Sequence, residues 1–297
     1  MPPLYNMWGM SALCIALGVR GTLVLQGRFE PVAVNEAMVR HRVQVFIGVP
    51  AMLQRMLDVP VQPSLGGMGA LRAVVTSGSR MPSGLAASFM GRFGDVLYNV
   101  YGSTESRVVS IATPDELRRA PECAGTAPPG VALAILDDDL QPVPEGTTGR
   151  IFVRNPMSAA YADGTTRQQH RGLLAIGDLG HLRDGLLFVD GREDDMAICS
   201  GTNVYPVELE RALDHHPDVR EVAALAVPDR EAGQRLVAFV VPRDGADVSV
   251  AGLAAYAKRG VSRYAVPREI ILVESLPRND NGKIVRDNLR DAVISRA

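Results

Sequence analysis

The chain of 297 residues is 46% hydrophobic and 22% charged, a composition typical of a globular protein long enough to form two cores. Its formal net charge of −2 provides no basic field that would attract nucleic acid or an anionic membrane. The apolar run Leu13–Val19 is too short to span a bilayer, and the opening residues lack the basic segment of a signal peptide.

Cysteine and lysine are both rare in this chain. The three cysteines, Cys14, Cys123 and Cys199, are odd in number and far apart, which predicts reduced thiols and a cytoplasmic location. None shares a metal-ligand spacing with the five histidines. Only Lys258 and Lys283 are lysines among the 31 basic residues. An ammonium is a compact charge suited to a phosphate or carboxylate oxygen, so Lys283, which follows a glycine, is either functional or a stray surface lysine.

The first predicted unit alternates helices and strands. Helical patterning surrounds the buried-type strand Val43–Val49 within residues 31–57. The alternation continues with a strand at Leu71–Val75, a helix over residues 82–93 and a strand at Val96–Val100. Strands that alternate with helices of this length predict an α/β fold with a mostly parallel sheet.

The pattern changes near residue 125 and again near residue 190. Short β-like runs separated by Pro, Gly and Asp predict a small barrel or antiparallel sheet, at Val131–Leu136, Gly149–Val153 and Leu186–Val189. The polar turn Asp190–Asp195 marks a boundary. Beyond it we expect a compact α+β unit, with helices at Pro206–Leu213, Val250–Lys258 and Val285–Ile294 and strands at Val219–Val227, Leu236–Val241 and Glu269–Val273.

The segment Tyr98–Glu105 directly follows a predicted strand. In α/β sheets, ligands bind at the carboxyl ends of the strands. Gly102 lets backbone N–H groups approach a phosphate, the hydroxyls of Ser103 and Thr104 can donate to its oxygens, and the Glu105 carboxylate can hold Mg²⁺. A phosphate site is therefore predicted, with a simple polar turn as the alternative.

Three further segments place polar residues near glycines. Asp178 stands in Ala175–Gly180 after a β-like run, where a carboxylate can accept from two sugar hydroxyls. An ordinary Gly-Asp turn is the alternative. Gly191–Glu210 combines a boundary with an arginine, acidic residues and an Asn-Val-Tyr-Pro helix start, and Leu276–Arg286 contains Lys283.

In this order, the four segments closely resemble the signatures of the adenylate-forming superfamily, which contains acyl-CoA synthetases, peptide-synthetase adenylation domains and luciferases. The matching sequences are Tyr-Gly-Ser-Thr-Glu, Gly-Asp-Leu-Gly, Gly-Arg-x-x-Asp with Gly-x-Asn-Val-Tyr-Pro-x-Glu-x-Glu, and Leu-Pro-Arg-Asn-x-x-Gly-Lys-x-x-Arg. Earlier, Pro3–Asn6 and Val45–Pro50 resemble the acyl-pocket segment and the strand before a pocket helix. The matches run along nearly the whole chain.

The resemblance implies a fold and a two-step reaction. The expected fold is part of a large AMP-binding domain at 1–190, with a sheet at about 1–124 and a β-barrel at about 125–190, followed by a mobile α+β C-terminal AMP-binding domain at 191–297. A carboxylate attacks the α-phosphorus of ATP to give acyl-AMP and pyrophosphate, and a thiol, usually of coenzyme A, then displaces AMP. ATP or AMP, Mg²⁺ and coenzyme A are the implied cofactors.

The resemblance also implies roles for individual residues. Lys283 would bridge the attacking carboxylate and the α-phosphate, where an ammonium offsets charge that builds up in the transition state. Glu105 would hold Mg²⁺ and Thr104 would contact phosphate. Asp194 would be the hinge. The acyl pocket would contain Asn6, Met7 and Val49; the nucleotide and coenzyme A positions would be Ser77, Gly78, Ser79, Tyr98, Asn99, Tyr101, Gly102, Ser103, Thr104, Asp178, Arg192 and, at the pantetheine tunnel, Gly201.

One part of the superfamily pattern is not matched. Its members carry a Ser/Thr/Gly-rich loop ending in Pro-Lys-Gly, which cradles the β- and γ-phosphates and precedes the acyl-pocket segment. This sequence begins after that point, so we expect part of the phosphate clamp and several strands to be missing. An incomplete sheet exposes an edge and apolar surface, which predicts an N-terminal partner chain or a homo-oligomer.

The expected activity is that of an acid–thiol ligase, either as a fragment or as half of a split enzyme. A fatty acid is the favoured substrate because Met7, Met10 and Leu13 are apolar, and aryl acids are the alternative. Coenzyme A is favoured over a peptide-synthetase role because no Asp lies in Pro3–Trp8 to hold an amine, although a carrier-protein thiol stays open. A non-catalytic chain that binds nucleotide or coenzyme A is the other alternative.

Overall fold

The computed structural model describes residues 2–59, 69–158, 168–279 and 282–294. Its first unit contains, in chain order, α1 (Met7–Gly18), α2 (Pro31–Arg40), β1 (Val45–Gly48), α3 (Pro50–Leu57), β2 (Ala73–Thr76), α4 (Leu85–Phe93), β3 (Leu97–Ser103), β4 (Arg107–Ala112) and α5 (Pro114–Arg119). The helices and strands predicted between residues 31 and 100 are confirmed, with bounds that shift by a few residues.

The starts of these helices follow from local sequence. Pro31, Pro50 and Pro114 each occupy a first-turn position, where the missing N–H group leaves no hydrogen bond unmade. α5 also carries a capping box, in which Thr113 Oγ1 accepts from the Glu116 amide and the Glu116 carboxylate accepts from the Thr113 amide.

The first sheet is mostly parallel, as predicted. β1, β2 and β3 lie side by side in parallel, and β4 pairs antiparallel with β3. The core of this unit includes the fully buried side chains of Leu53, Phe89 and Leu97. Within the described ranges β1 is a terminal strand, and its Val45 is 51% exposed.

Helix α1 lies where the sequence indicated only a short apolar run. Asn6 Oδ1 accepts from the Gly9 amide at 2.7 Å and so caps the helix, and Trp8 Nε1 donates to the Gly48 carbonyl at the end of β1. Several apolar residues in and around α1 are exposed, and we call them the α1 surface: Tyr5, Met10, Ile15, Leu17 and Val19.

The second unit is an antiparallel sheet of five strands. It contains β5 (Ala132–Leu136), β6 (Gly149–Arg154), β7 (Gln169–His170), β8 (Leu173–Arg183) and β9 (Leu186–Arg192), in the order β5-β6-β8-β7 with β9 on β8. Asp178 does not follow a strand, as the sequence suggested, but lies within β8 directly opposite Arg192 of β9. A left-handed Gly177, with φ +78°, lets the strand continue through this Gly-Asp pair.

The third unit is the predicted α+β unit. It contains β10 (Ala197–Cys199), β11 (Thr202–Val204), α6 (Pro206–Asp214), β12 (Val219–Asp229), β13 (Gly233–Pro242), α7 (Val250–Gly260), β14 (Glu269–Leu272) and α8 (Arg286–Ile294). β13 is central, antiparallel to β12 and β10 and parallel to β14. One core holds Leu209, Leu213 and Leu253 of α6 and α7, and a separate core holds Leu289 and Val293 of α8.

A buried ion pair ties α8 to this sheet. Glu210, which is only 5% exposed, accepts from the Ala224 amide at 2.9 Å and from Arg286 at 2.7 Å.

None of the helices in the described part of the chain combines the length and the apolarity needed to cross a membrane.

Candidate functional site

The carboxyl ends of β1, β2 and β3 open onto the segments singled out in the sequence. Val49 follows β1 and Ser77 follows β2, whereas Tyr98, Asn99 and Tyr101 lie within β3. Because adjacent parallel strands end at the same edge of a sheet, these segments lie along one edge, with Tyr98 and Asn99 on opposite faces of β3. A Cβ atom built on Gly78, whose φ is +97°, would lie 3.6 Å from Val49 Cγ1, so the segment after β2 runs beside the end of β1.

The turn from β3 to β4 is tight. A Cβ atom built on Gly102 would lie 1.8 Å from the Arg107 carbonyl oxygen, so only glycine fits there. The Ser103 and Ser106 hydroxyls lie 2.9 Å apart and close the loop. Thr104 and Glu105 lie at its tip, where Thr104 is exposed and Glu105 half-buried.

The loop fits a hard cation only together with phosphate oxygens. The described residues contain no group of three or more His, Cys, Asp or Glu side chains placed to bind a metal ion. A single carboxylate such as Glu105 suits Mg²⁺, which keeps most of its ligands as water and substrate phosphates.

Asp178 joins the second sheet to the first. Tyr101 Oη donates to Asp178 Oδ2 at 2.5 Å, across 77 residues of sequence, and Arg192 Nη1 lies 3.4 Å from Asp178 Oδ1. Burial and the nearby Asp178 charge raise the pKa of Tyr101 well above its usual value. The phenol therefore stays protonated and serves as a hydrogen-bond donor to the carboxylate.

Arg192 extends this network to the connection between the second and third units. Its guanidinium makes a bidentate contact with Asp194, with distances of 2.7 and 3.0 Å. The hydrogen bonds that Arg192 donates to Asp194 raise the pKa of the guanidinium further, against the effect of burial. Asp194 lies in the short 3-10 turn Glu193–Asp195 that leads into β10. The predicted ribose-binding residue and the predicted hinge residue are thus joined through one arginine.

Lys283 lies on a short loop that contacts the first sheet. Asn279 holds the loop, since its amide donates to the Lys283 carbonyl and its Oδ1 accepts from the Lys283 amide at 3.0 Å. A Cβ atom built on Gly282 would lie 3.2 Å from Val49 Cγ2, so the loop packs against the end of β1, and the Lys283 side chain is exposed. Asp280 and Asn281 of the same segment lie outside the described residues.

Three other predicted positions have different surroundings. Met7 Sδ lies 2.8 Å from Arg107 Nη1, so Met7 contacts the β3–β4 loop. The Asn6 side chain caps α1. Gly201 lies in the turn between β10 and β11, and a Cβ atom built on it would meet no described residue within 4 Å. Open space therefore lies beside Gly201, and its role at the pantetheine tunnel stays a prediction.

Sequence patterns did not reveal the contacts between the second sheet and α6. Asp190 accepts from Thr148 at 2.6 Å and Arg211 at 2.8 Å, and its Oδ2 lies 2.7 Å from His181 Nδ1. Burial opposes ionisation of Asp190, but the hydrogen bonds from His181, Thr148 and Arg211 outweigh it and lower its pKa. No local motif signals these contacts, because the partners come from distant strands and a helix.

Comparisons with known proteins agree with this geometry. Residues 1–161 match the AMP-binding enzyme family, and residues 208–283 match the AMP-binding enzyme C-terminal domain. The indoleacetate–CoA ligase of Aromatoleum aromaticum is 33% identical over 98% of this chain and 58% of its own length. The chain therefore spans less than two thirds of that curated relative.

Two solved structures show the same fold. The amide bond synthetase McbA from Marinactinospora thermotolerans superposes with a TM-score of 0.90 and 32% identity, over 98% of this chain and 60% of that one. The anthranilate CoA ligase AuaEII, in complex with anthranoyl-AMP, has a TM-score of 0.84 and 25% identity, over 100% of this chain and 60% of that one.

Proposed function

Because the chain belongs to the AMP-binding enzyme family, we propose that it takes part in the ATP-dependent activation of a carboxylic acid and in transfer of the acyl group to coenzyme A. The observation that carries the proposal is that Asp178 of the second unit and the Lys283 loop of the third unit both contact the first unit near the carboxyl ends of its parallel strands. Asp178 contacts Tyr101 of β3, and the Lys283 loop packs on Val49 after β1.

The proposed first step joins an acid to AMP. A carboxylate oxygen forms a bond to the α-phosphorus of ATP, the bond from that phosphorus to the bridging oxygen breaks, and pyrophosphate leaves. Both reactants are anions, so an ammonium between them lowers the barrier. Lys283 is assigned this role because its loop packs on Val49 and its side chain is exposed. In the second step the thiol sulfur of coenzyme A bonds to the acyl carbon, and AMP leaves.

The remaining roles follow the geometry. Asp178 accepts from the ribose hydroxyls, and Arg192 fixes the carboxylate by donating to its Oδ1. Thr104 and Glu105, at the tip of the β3–β4 loop, contact phosphate and the magnesium ion that accompanies it. When bound, the ion neutralises phosphate charge. Asp194 is assigned as the hinge because it lies in the turn between the two units.

We expect Tyr101→Phe to weaken AMP binding. The change removes the hydroxyl that fixes Asp178, and a hydrogen bond to a charged group contributes about 1.5–3 kcal/mol, or roughly 10- to 100-fold in affinity. Calorimetric titration with AMP measures the effect. Tyr256→Phe is the matched control, since Tyr256 donates to a backbone carbonyl on the third unit. Equal affinity in Tyr101→Phe and the unsubstituted chain would show that Tyr101 does not position Asp178.

A fatty acid is the proposed substrate, supported by the apolar residues Met7, Met10 and Leu13 of α1. Aryl acids are the alternative, supported by relatives whose names specify indoleacetate and anthranilate. Acid-dependent ATP–pyrophosphate exchange is measured with a panel of fatty acids and aryl acids. The acid class that gives the higher exchange rate is the substrate class.

We also propose that further polypeptide covers the α1 surface and the open side of β1, supplied by a partner chain or by a second copy. Exposed Ile15, Leu17 and Val19 and the half-exposed Val45 support this proposal. Sedimentation analysis tests the second-copy case.

The cytoplasm is the proposed location, supported by three free cysteines.

Acid-dependent exchange between ATP and pyrophosphate tests the proposed first step. The exchange is measured on the 297-residue chain, alone and with a polypeptide that carries the Ser/Thr/Gly-rich phosphate loop. We expect exchange in at least the second case. No exchange in either case would contradict acid activation and favour a non-catalytic chain that binds nucleotide or coenzyme A.

An amide-forming second step is the second candidate, favoured by the likeness to a structure named as an amide bond synthetase. Supplying acyl-AMP together with coenzyme A or with an amine distinguishes the two. Thioester as the main product supports the ligase, and amide as the main product supports the alternative.

A further inference from the structure

A cavity of about 440 Å³ lies between the first two units and α6. It is lined on one side by Arg119, Glu122, His181 and Arg183, and on the other by Arg211 and His215 of α6. None of the residues assigned to ATP, coenzyme A or the acid belongs to its lining, so this cavity is separate from the site at the sheet edge.

The cavity carries positive charge that the protein does not neutralise. Arg211 is paired with Asp190 at 2.8 Å. Arg183 lies with its guanidinium carbon 4.3 Å above the Phe188 ring, and the hydrogen bond of Arg119 goes to a backbone carbonyl of its own helix. Within the described ranges, neither Arg119 nor Arg183 has a carboxylate at ion-pair distance. Two of the arginines that line the cavity therefore have no carboxylate partner among the described residues.

The carboxylate in the lining already has partners. Glu122 accepts from Ser83 Oγ at 2.7 Å, and His215 Nε2 lies 3.4 Å from it. His215 Nδ1 lies 2.6 Å from the Arg211 carbonyl and so donates to it. Glu122 thus accepts from Ser83 and is not at ion-pair distance from Arg119 or Arg183.

We propose that this cavity binds a multiply charged oxyanion of the phosphate class, such as phosphate or pyrophosphate. Guanidinium groups present paired N–H donors that match phosphate oxygens. The volume holds such an anion with part of its water. A flat aromatic ligand is disfavoured, since His181 stacks on one side of Phe188 at 5.0 Å and Arg183 covers the ring as well.

The anion has a structural consequence because both parts of the chain contribute to the cavity. Arg119 and Arg183 come from the first two units, and Arg211 comes from α6 of the third. A bound anion therefore stabilises the orientation in which α6 contacts the second sheet. In the same orientation the Lys283 loop packs on Val49.

Direct binding tests the proposal without any acid, ATP or coenzyme A. Because pyrophosphate is also the product of the proposed first step, the cavity variants are needed to separate binding in the cavity from binding at the nucleotide site. The 297-residue chain is titrated by calorimetry with sodium phosphate and with sodium pyrophosphate, at ionic strength held constant with sodium chloride. The same titrations use the Arg119→Ser/Arg183→Ser double variant and Arg119→Glu. Arg118→Ser is the matched control, because Arg118 is adjacent in sequence but paired with Asp95 outside the cavity.

We expect saturable binding by the unsubstituted chain and by Arg118→Ser, and affinity at least tenfold lower in the double variant and in Arg119→Glu. Circular dichroism confirms that each variant is folded. Arg119 and Arg183 are exposed, so these changes leave the cores intact. Binding that is absent in the unsubstituted chain, or that is unchanged in the double variant, overturns the proposal; binding unchanged in the variants places the anion at the nucleotide site.

Discussion

Replacing Lys283 with alanine is expected to slow acyl-adenylate formation by about 100- to 1000-fold, the usual loss when one group that stabilises transition-state charge is removed. Thiolysis of supplied acyl-AMP should stay within a few-fold of the unsubstituted rate, because no anion attacks a phosphate in that step. The first step is measured by acid-dependent ATP–pyrophosphate exchange, and the second by thioester formation from acyl-AMP and coenzyme A.

Two further variants sharpen the test of Lys283. Lys258→Ala removes the other lysine, which is exposed in the last turn of α7, and should leave both steps unchanged. Lys283→Arg keeps the charge but replaces a compact ammonium with a planar fork, so the first step should stay slow. Equal loss of both steps in Lys283→Ala would refute the assigned role and indicate a general disturbance of the loop.

Arg286→Met is expected to lower the free energy of unfolding by about 3 kcal/mol, near the lower end of the range for breaking a buried ion pair. The change leaves the buried carboxylate of Glu210 with the Ala224 amide but without its charged partner. Because Arg286 is itself partly exposed, water reaches the vacated position and limits the cost. Urea denaturation followed by circular dichroism measures the difference.

The control for this prediction is Arg290→Met on the same helix. Arg290 pairs with the exposed Asp287, and an exposed pair of this kind contributes about 0–1 kcal/mol. The double variant Glu210→Gln/Arg286→Met should recover part of the lost stability, since no charge is left buried. A loss in Arg286→Met no larger than that in Arg290→Met would show that the pair does not stabilise α8.

The sequence predicted the elements that repeat a simple pattern. Apolar runs such as Val43–Val49 became parallel strands, and helices began at prolines because proline suits the first turn. Helix α1 escaped prediction because its residues are apolar on all sides, so no helical periodicity distinguishes them. The sequence places Asp178 after a strand because glycine on both sides usually indicates a turn, whereas pairing with β9 extends β8 through it.

The candidate site was predicted as four separate segments, and the segments could not reveal how they meet. The contact of Tyr101 with Asp178 joins residues from different sheets, and the packing of Gly282 near Val49 joins the third unit to the first. Such contacts depend on tertiary arrangement, which no local pattern encodes. For the same reason no sequence pattern indicates that Arg211 of α6 donates to Asp190 on the second sheet.

The surroundings of Asp190 determine how easily α6 can leave the second sheet. Departure of α6 would remove Arg211 from Asp190, but Thr148 and His181, which belong to the same sheet as Asp190, would stay bonded to it. Glu122 would likewise keep Ser83 when His215 withdraws. Asp190 and Glu122 therefore each keep a hydrogen-bond donor from their own side, whereas Asp214 of α6 would lose the Ser83 amide and Arg80. Separation of α6 would thus exchange the contacts of Arg211 and Asp214 for water and leave the hydrogen bonds within the second sheet in place.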